Sequence, residues 1–184
     1  KIEGSEMDEK LEGAKGADVL SGGKGDDYLI GGEGADTLIG GNGIGAVDTA
    51  AFEGSASNYT IAQAQKWVGV KTDGTYETDT SGNIKIFSAA NAVATGSTAV
   101  QGYSIKTKDA DADGKISDSE KSGSDVEDLV FEVENFEFED GVYRSTIEVN
   151  VDDYDFDFKI DFSEVLGALG DDTIKASNTS GLNS

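Results

Sequence analysis

The chain has 184 residues and a formal net charge of −23, with no cysteine, no histidine and no proline. An acidic surplus without any basic tract argues against nucleic acid and anionic membranes as partners and makes cations the natural ones. Without cysteine or histidine there are no disulfides, no thiolate or imidazole metal ligands and no Ser-His or Cys-His nucleophile pairs, so no enzymatic activity is expected. No apolar run approaches the roughly 20 residues of a membrane-spanning helix, so membrane insertion is not expected either. The acids are unevenly placed: residues 1–48 hold 11 acids and 4 lysines, 49–108 hold 4 and 5, and 109–184 hold 22 acids against 5 basic groups.

The chain opens on a nine-residue pattern that begins at Gly4, Gly13, Gly22 and Gly31 and starts a fifth time at Gly40. The copies Gly22-Gly23-Lys24-Gly25-Asp26-Asp27-Tyr28-Leu29-Ile30 and Gly31-Gly32-Glu33-Gly34-Ala35-Asp36-Thr37-Leu38-Ile39 satisfy the template G-G-x-G-x-D-x-U-x, a calcium-binding turn followed by a short strand, at every fixed position. Glycine allows the backbone to curl until carbonyls face one point, and the sixth-position carboxylates Asp18, Asp27 and Asp36 add charged oxygen to that ring. Such a set suits calcium, which takes six to eight oxygens in loose geometry, better than magnesium or zinc. The apolar eighth position, Leu11, Leu20, Leu29 and Leu38, predicts a thin stacked column, so bound ions must supply much of the folding free energy. Met7 and Glu9 replace the expected glycine and aspartate in the first copy, which therefore reads as a cap without its own ion. A glycine-rich linker with scattered acids is the bland alternative, but linkers do not hold Gly, Asp and Leu in phase through consecutive copies.

Beyond residue 48, Phe52, Tyr59 and Ile61 are expected as inward anchors. Trp67–Val70, Ile84–Phe87 and Tyr103–Thr107 read as strands, the first two separated by turn signals at Asp73-Gly74 and Ser81-Gly82-Asn83. Ala89–Gly102 fits a short helix or a loop. Asp109-Ala110-Asp111-Ala112-Asp113-Gly114-Lys115-Ile116-Ser117-Asp118-Ser119-Glu120 meets the twelve-residue calcium-loop pattern. Asp109, Asp111 and Asp113 would give side-chain oxygens, Lys115 its carbonyl and Glu120 a bidentate carboxylate, without the flanking helices of an EF-hand; a solvated acidic turn is the alternative. From Asp128 to Phe138 two alternating runs slip in phase near Asn135, which predicts a bulge with Phe131 and Val133 on one face. Tyr154–Phe162 alternates strictly, with an outer row of Asp155, Asp157, Lys159 and Asp161 that reads as a solvated edge. Gly167–Lys175 restates the nonapeptide, with Asp172 at the ligand position.

Residues 13–39 resemble the repeats of RTX proteins, calcium-binding proteins that bacteria export by type I secretion. Asp48–Gly54 with Tyr59 and Ile61, and Asp128 through Gly141, are similar to segments that follow such repeats in large RTX surface proteins and adhesins. The resemblance implies a parallel β-roll in which two nonapeptides make one coil. Several calcium ions would sit between turns, held by Asp18, Asp27 and Asp36 with turn carbonyls around Lys15, Lys24 and Glu33. In the fifth copy Gly45 takes the aspartate position and Asp48 arrives three residues late; Asp48 is carried as a candidate ligand. The expected architecture is mainly β. It consists of an RTX β-roll over 1–48, a β-rich domain, sandwich-like or with a small helix, over 49–166 with the calcium loop 109–120, and a degenerate repeat and tail over 167–184. The expected function is a structural or ligand-binding module of a secreted bacterial surface protein or adhesin, contacting a cell-surface glycan or peptide and folding on calcium after export. The alternative is the accessory or secretion module of an extracellular hydrolase or polysaccharide-modifying enzyme. Ice binding is disfavoured, because Lys15, Lys24 and Glu33 break any rank of small hydroxyls.

Overall fold

The computed structural model describes residues 1–41, 43, 45–107, 127–150 and 155–165, with 145–150 and 155–165 described by backbone course alone. In chain order the strands are β1 (Ile2–Glu3), β2 (Lys10–Glu12), β3 (Val19–Gly23), β4 (Tyr28–Ile30), β5 (Thr37–Gly41), β6 (Thr49–Ala51), β7 (Tyr59–Val70), β8 (Ile86–Phe87), β9 (Thr98–Thr107), β10 (Glu127–Phe131), β11 (Asn135–Phe138), β12 (Gly141–Asn150) and β13 (Asp155–Val165). Among the described residues there is no α-helix, only two three-residue 3-10 turns at Ala56–Asn58 and Ala90–Ala92. The second falls in the stretch whose composition fits either a helix or a loop.

Glycine-rich turns alternate with short strands whose central residue is apolar, so successive strands fall alternately into two sheets. One has the order β1-β3-β5-β10-β9-β7-β8, the other β13-β12-β11-β6-β4-β2. Pairing in the repeats is parallel, with Leu20 beside Leu38 and Leu11 beside Leu29. Two nonapeptides therefore complete one coil of a β-roll. Leu20, Leu29 and Leu38 are wholly buried between the sheets, and Leu11 closes the column at 9 % exposure.

After β6 the chain leaves the roll. β7, β8 and β9 pair antiparallel and lengthen the first sheet, β9 lying against β10. Their side chains raise a second apolar cluster on that sheet, where Ile39, Val68 and Phe131 are surrounded by Val70, Tyr76, Ile84, Ile86, Val100 and Leu129. The chain then returns. β10 runs parallel beside β5 with Val130 opposite Leu38, and β11 runs parallel beside β6 with Phe136 opposite Ala50. Residues 127–138 thus form one further turn of the roll.

This return accounts for the phase slip. It is no bulge within a strand pair: the chain crosses from one sheet to the other between Phe131 and Asn135, bent by Glu132 at φ 50°. As a result Phe131 and Val133 do not share a face, since Val133 packs in the roll with Val130 and Phe136 while Phe131 belongs to the outer cluster. Phe52, Tyr59, Phe138 and Tyr143 pack on the roll core as a run of tilted, stacked and edge-on rings. Phe52, Tyr59 and Ile61 are half-buried against it, as expected of anchors. β12 and β13 extend the second sheet as an antiparallel pair, so the strictly alternating stretch is a strand from Asp155 onward.

Candidate metal centre

Repeat turns pack closely against the turn one coil away, so that several of their glycines leave no room for a Cβ. Gly32, at φ 97°, carries the geometry that glycine alone adopts cheaply, and a Cβ there would strike the Ala14 carbonyl. Stacked turns are bonded through backbone, Glu33 N–H donating to the Ala14 carbonyl and Gly16 N–H to the Glu33 carbonyl, both at 2.7 Å. On the solvent side the third-position residues pair across coils, Lys15 with Glu33 at 2.9 Å and Lys24 with Glu6.

Behind the turns the acids form two ladders. On one edge Asp18 N–H donates to Asp36 Oδ1 at 2.8 Å, and Asp36 N–H donates to Asp128 Oδ1 at 2.7 Å. On the other edge Glu9 N–H donates to Asp27 Oδ1 at 2.9 Å, Asp27 N–H to Asp48 Oδ1 at 2.8 Å, and Asp48 N–H to Glu134 Oε2 at 2.8 Å. One carboxylate oxygen of each rung is thus spent on a neighbouring backbone N–H. The second oxygens of Asp27 and Asp36 have no hydrogen-bond partner although both residues are only 1 % exposed. Such an orphan costs about 1–3 kcal/mol or more for a charged group.

At the first glycine of each turn the acid is packed so closely against the backbone that a Cβ would collide with it. A Cβ at Gly13 would sit 2.5 Å from the Gly31 carbonyl oxygen and 3.0 Å from Asp18 Oδ2. At Gly22 it would lie inside 3.0 Å of both Asp27 Oδ2 and the Gly40 carbonyl, and at Gly40 inside 3.0 Å of both Asp48 Oδ2 and the Glu132 carbonyl. Carboxylate and carbonyl oxygens of successive coils therefore lie side by side at these glycines, all of them possible ligands for a hard cation. Among the described residues no three carboxylates gather at one point, so a donor set here would combine one or two carboxylates with turn carbonyls. That all-oxygen set fits a hard, loosely coordinated cation. Calcium bound there would supply positive charge and draw neighbouring coils together.

Protonation behaviour follows from the same burial. Removal from water raises Asp27 and Asp36 above the usual carboxylate range. Burial pushes Asp48 up to about 7; the hydrogen bond from Asp27 opposes this, and the Glu134 charge adds to it. Glu134 and Glu132 are likewise raised by burial. Glu9 behaves differently: hydrogen bonds from the Ser5 hydroxyl and N–H lower it, and its carboxylate is turned onto Ser5.

Of the candidate ligands, Asp18, Asp27, Asp36 and Asp48 stand on the ladders. The loop residues Asp109, Asp111, Asp113, Lys115 and Glu120, and Asp172 in the last repeat copy, lie outside the described residues. Asp128 and Glu134 were not among the candidates, because no glycine-rich turn precedes them. Their signal is the triplet acid-x-apolar: Asp128-Leu129-Val130 and Glu134-Asn135-Phe136 repeat Asp36-Thr37-Leu38. Beside the first ladder an open cleft is lined by Glu12, Lys15, Gly31, Phe52, Tyr59 and Asp128, among others.

No curated protein and no solved structure matches the chain. Residues 3–45, by contrast, match the family model of the RTX calcium-binding nonapeptide repeat, in four copies.

Proposed function

We propose that this chain is a non-catalytic, calcium-folded module of a secreted bacterial surface protein or adhesin. The carrying observation is the pair of orphaned buried oxygens, Asp27 Oδ2 and Asp36 Oδ2. Stacking acids behind tight turns in a chain of net charge −23 opposes folding until cations arrive. In the low calcium of a bacterial cytosol the repeats would stay unfolded and exportable by a type I route. Outside, calcium at about the millimolar level fills extracellular-type sites and closes the roll. The long antiparallel strands β7 and β9 then present a rigid face, and the cleft beside Phe52 and Tyr59 offers aromatic and polar groups to a glycan or peptide.

Circular dichroism in calcium and in excess chelator tests the folding reading; a spectrum that does not change would sink it. Glycan and peptide arrays probed in calcium and again in chelator test the adhesive reading, with calcium-dependent capture expected.

A further inference from the structure

We propose that Asp128 is a metal ligand, shared with Asp36 in one divalent-cation site, so that the ion fastens the returning strand β10 to the last repeat strand β5. The proposal rests on the calcium reading above and extends it to a residue outside the matched repeats.

Asp36 is 1 % exposed, its Oδ1 is taken by Asp18 N–H, and its Oδ2 has no partner. Asp128 meets Asp36 with the geometry that Asp36 itself offers to Asp18. Asp36 N–H donates to Asp128 Oδ1 at 2.7 Å, and Leu129 N–H returns to the Asp36 carbonyl at 2.9 Å. In the repeat rung the corresponding bonds, Asp18 N–H to Asp36 Oδ1 and Thr37 N–H to the Asp18 carbonyl, are both 2.8 Å. Asp128 therefore occupies the place of a repeat aspartate, although the chain between Asp36 and Asp128 has left the roll and come back.

The opposite edge is built alike. Glu134 accepts from Asp48 N–H at 2.8 Å, and the Glu132 carbonyl stands beside the Gly40 Cβ position as the Gly40 carbonyl stands beside that of Gly22. The returning segment thus imitates a repeat turn at both edges of the roll.

A hydrogen-bond acceptor alone would not call for an acid here. An amide oxygen would take the Asp36 N–H equally well and would spare this part-buried ladder a further negative charge, which is costly unless a cation offsets it.

The experiment uses the full chain with calcium chloride as probe and compares wild type, Asp128→Asn and Glu139→Gln, the last removing one charge from an exposed position. Bound calcium is counted by equilibrium dialysis, and folding is followed through Trp67, the single tryptophan. Asn at 128 keeps the acceptor oxygen and loses the charge. The expected result is one ion fewer per chain and a calcium midpoint raised roughly tenfold for Asp128→Asn, with Glu139→Gln close to wild type. Wild-type ion number and midpoint in Asp128→Asn, or an equal shift in Glu139→Gln, would overturn the proposal while leaving the calcium reading intact. If Asp128→Asn stays unfolded at saturating calcium, Asp128→Glu decides: recovery of folding supports a charged ligand, and failure to recover overturns it. A wild-type chain that takes up no calcium overturns the calcium reading and the proposal together.

Discussion

Asp27 donates its backbone N–H to the Asp48 carboxylate at 2.8 Å across 21 residues, whereas the rung before it, Glu9 to Asp27, spans 18. The additional residues are absorbed in the turn after Gly41, where Ala46 N–H closes on the Gly43 carbonyl and Gly45 takes φ 79°. Thr49 N–H then returns to the Asp27 carbonyl at 2.8 Å, as Tyr28 N–H does to that of Glu9. The fifth copy loses its register in sequence and keeps it in space. A ladder of this kind requires that a carboxylate arrive at the right height, whatever the length of the turn that delivers it.

Replacing Asp27 by asparagine tests whether the orphaned oxygens are metal-directed. Asparagine still accepts the Glu9 N–H but removes the charge beside the Gly40 carbonyl. The calcium midpoint followed by circular dichroism should rise roughly tenfold. Asp26→Asn, which alters an exposed acid bonded to Val47 N–H, should move it far less. Equal shifts in the two variants would mean that total charge, and no particular site, governs folding.

The metal-free fold should gain stability on acidification from pH 8 to pH 5. Asp27, Asp36, Asp48, Glu132 and Glu134 are raised by burial, Asp48 up to about 7. A raised carboxylate binds its proton more tightly folded than unfolded, so its contribution is full below the unfolded value and is lost as pH climbs through the folded one. Groups lowered by hydrogen bonds, Glu6, Glu9, Asp73, Asp79 and Asp140, are ionised throughout this window and do not offset the gain. Protons and calcium compete for the same oxygens, so the calcium midpoint should rise over the same descent. Urea titrations in chelator at pH 5 and pH 8, with a calcium titration at each, check both directions.

Leu29→Ala should lower stability in saturating calcium by roughly 2–5 kcal/mol, the usual cost of a cavity at a wholly buried leucine. Urea unfolding monitored at Trp67 gives the value. A loss under about 1 kcal/mol would show that the column collapses around the gap or contributes little beside the ions.

Ala14→Gly should raise stability by about 1 kcal/mol. Ala14 stands where the template has glycine and is held at φ 80°, a conformation that costs an L-residue and not glycine. A shift of the urea midpoint in calcium measures it; an unchanged or lower midpoint would show that the alanine methyl makes compensating contacts.

What the chain declares by itself is its local chemistry. The nonapeptide phase places glycine, acid and leucine correctly because turn curvature, ligand oxygen and strand burial all operate within nine residues. It leads directly to the buried leucine column and the ladder acids Asp18, Asp27 and Asp36, while the parallel pairing of Leu20 with Leu38 was implied by the likeness to RTX repeats. Tertiary structure decided the rest. Asp128 and Glu134 meet partners 92 and 86 residues away, and no glycine-rich turn marks their approach. The faces of Phe131 and Val133 diverge because Glu132 turns the chain from one sheet into the other, which alternation along a strand cannot reveal. The physical reason is common to both: a repeat fixes neighbouring coils by covalent spacing, whereas a returning segment is placed only by the open edge it finds to pair with and the buried N–H groups it must satisfy.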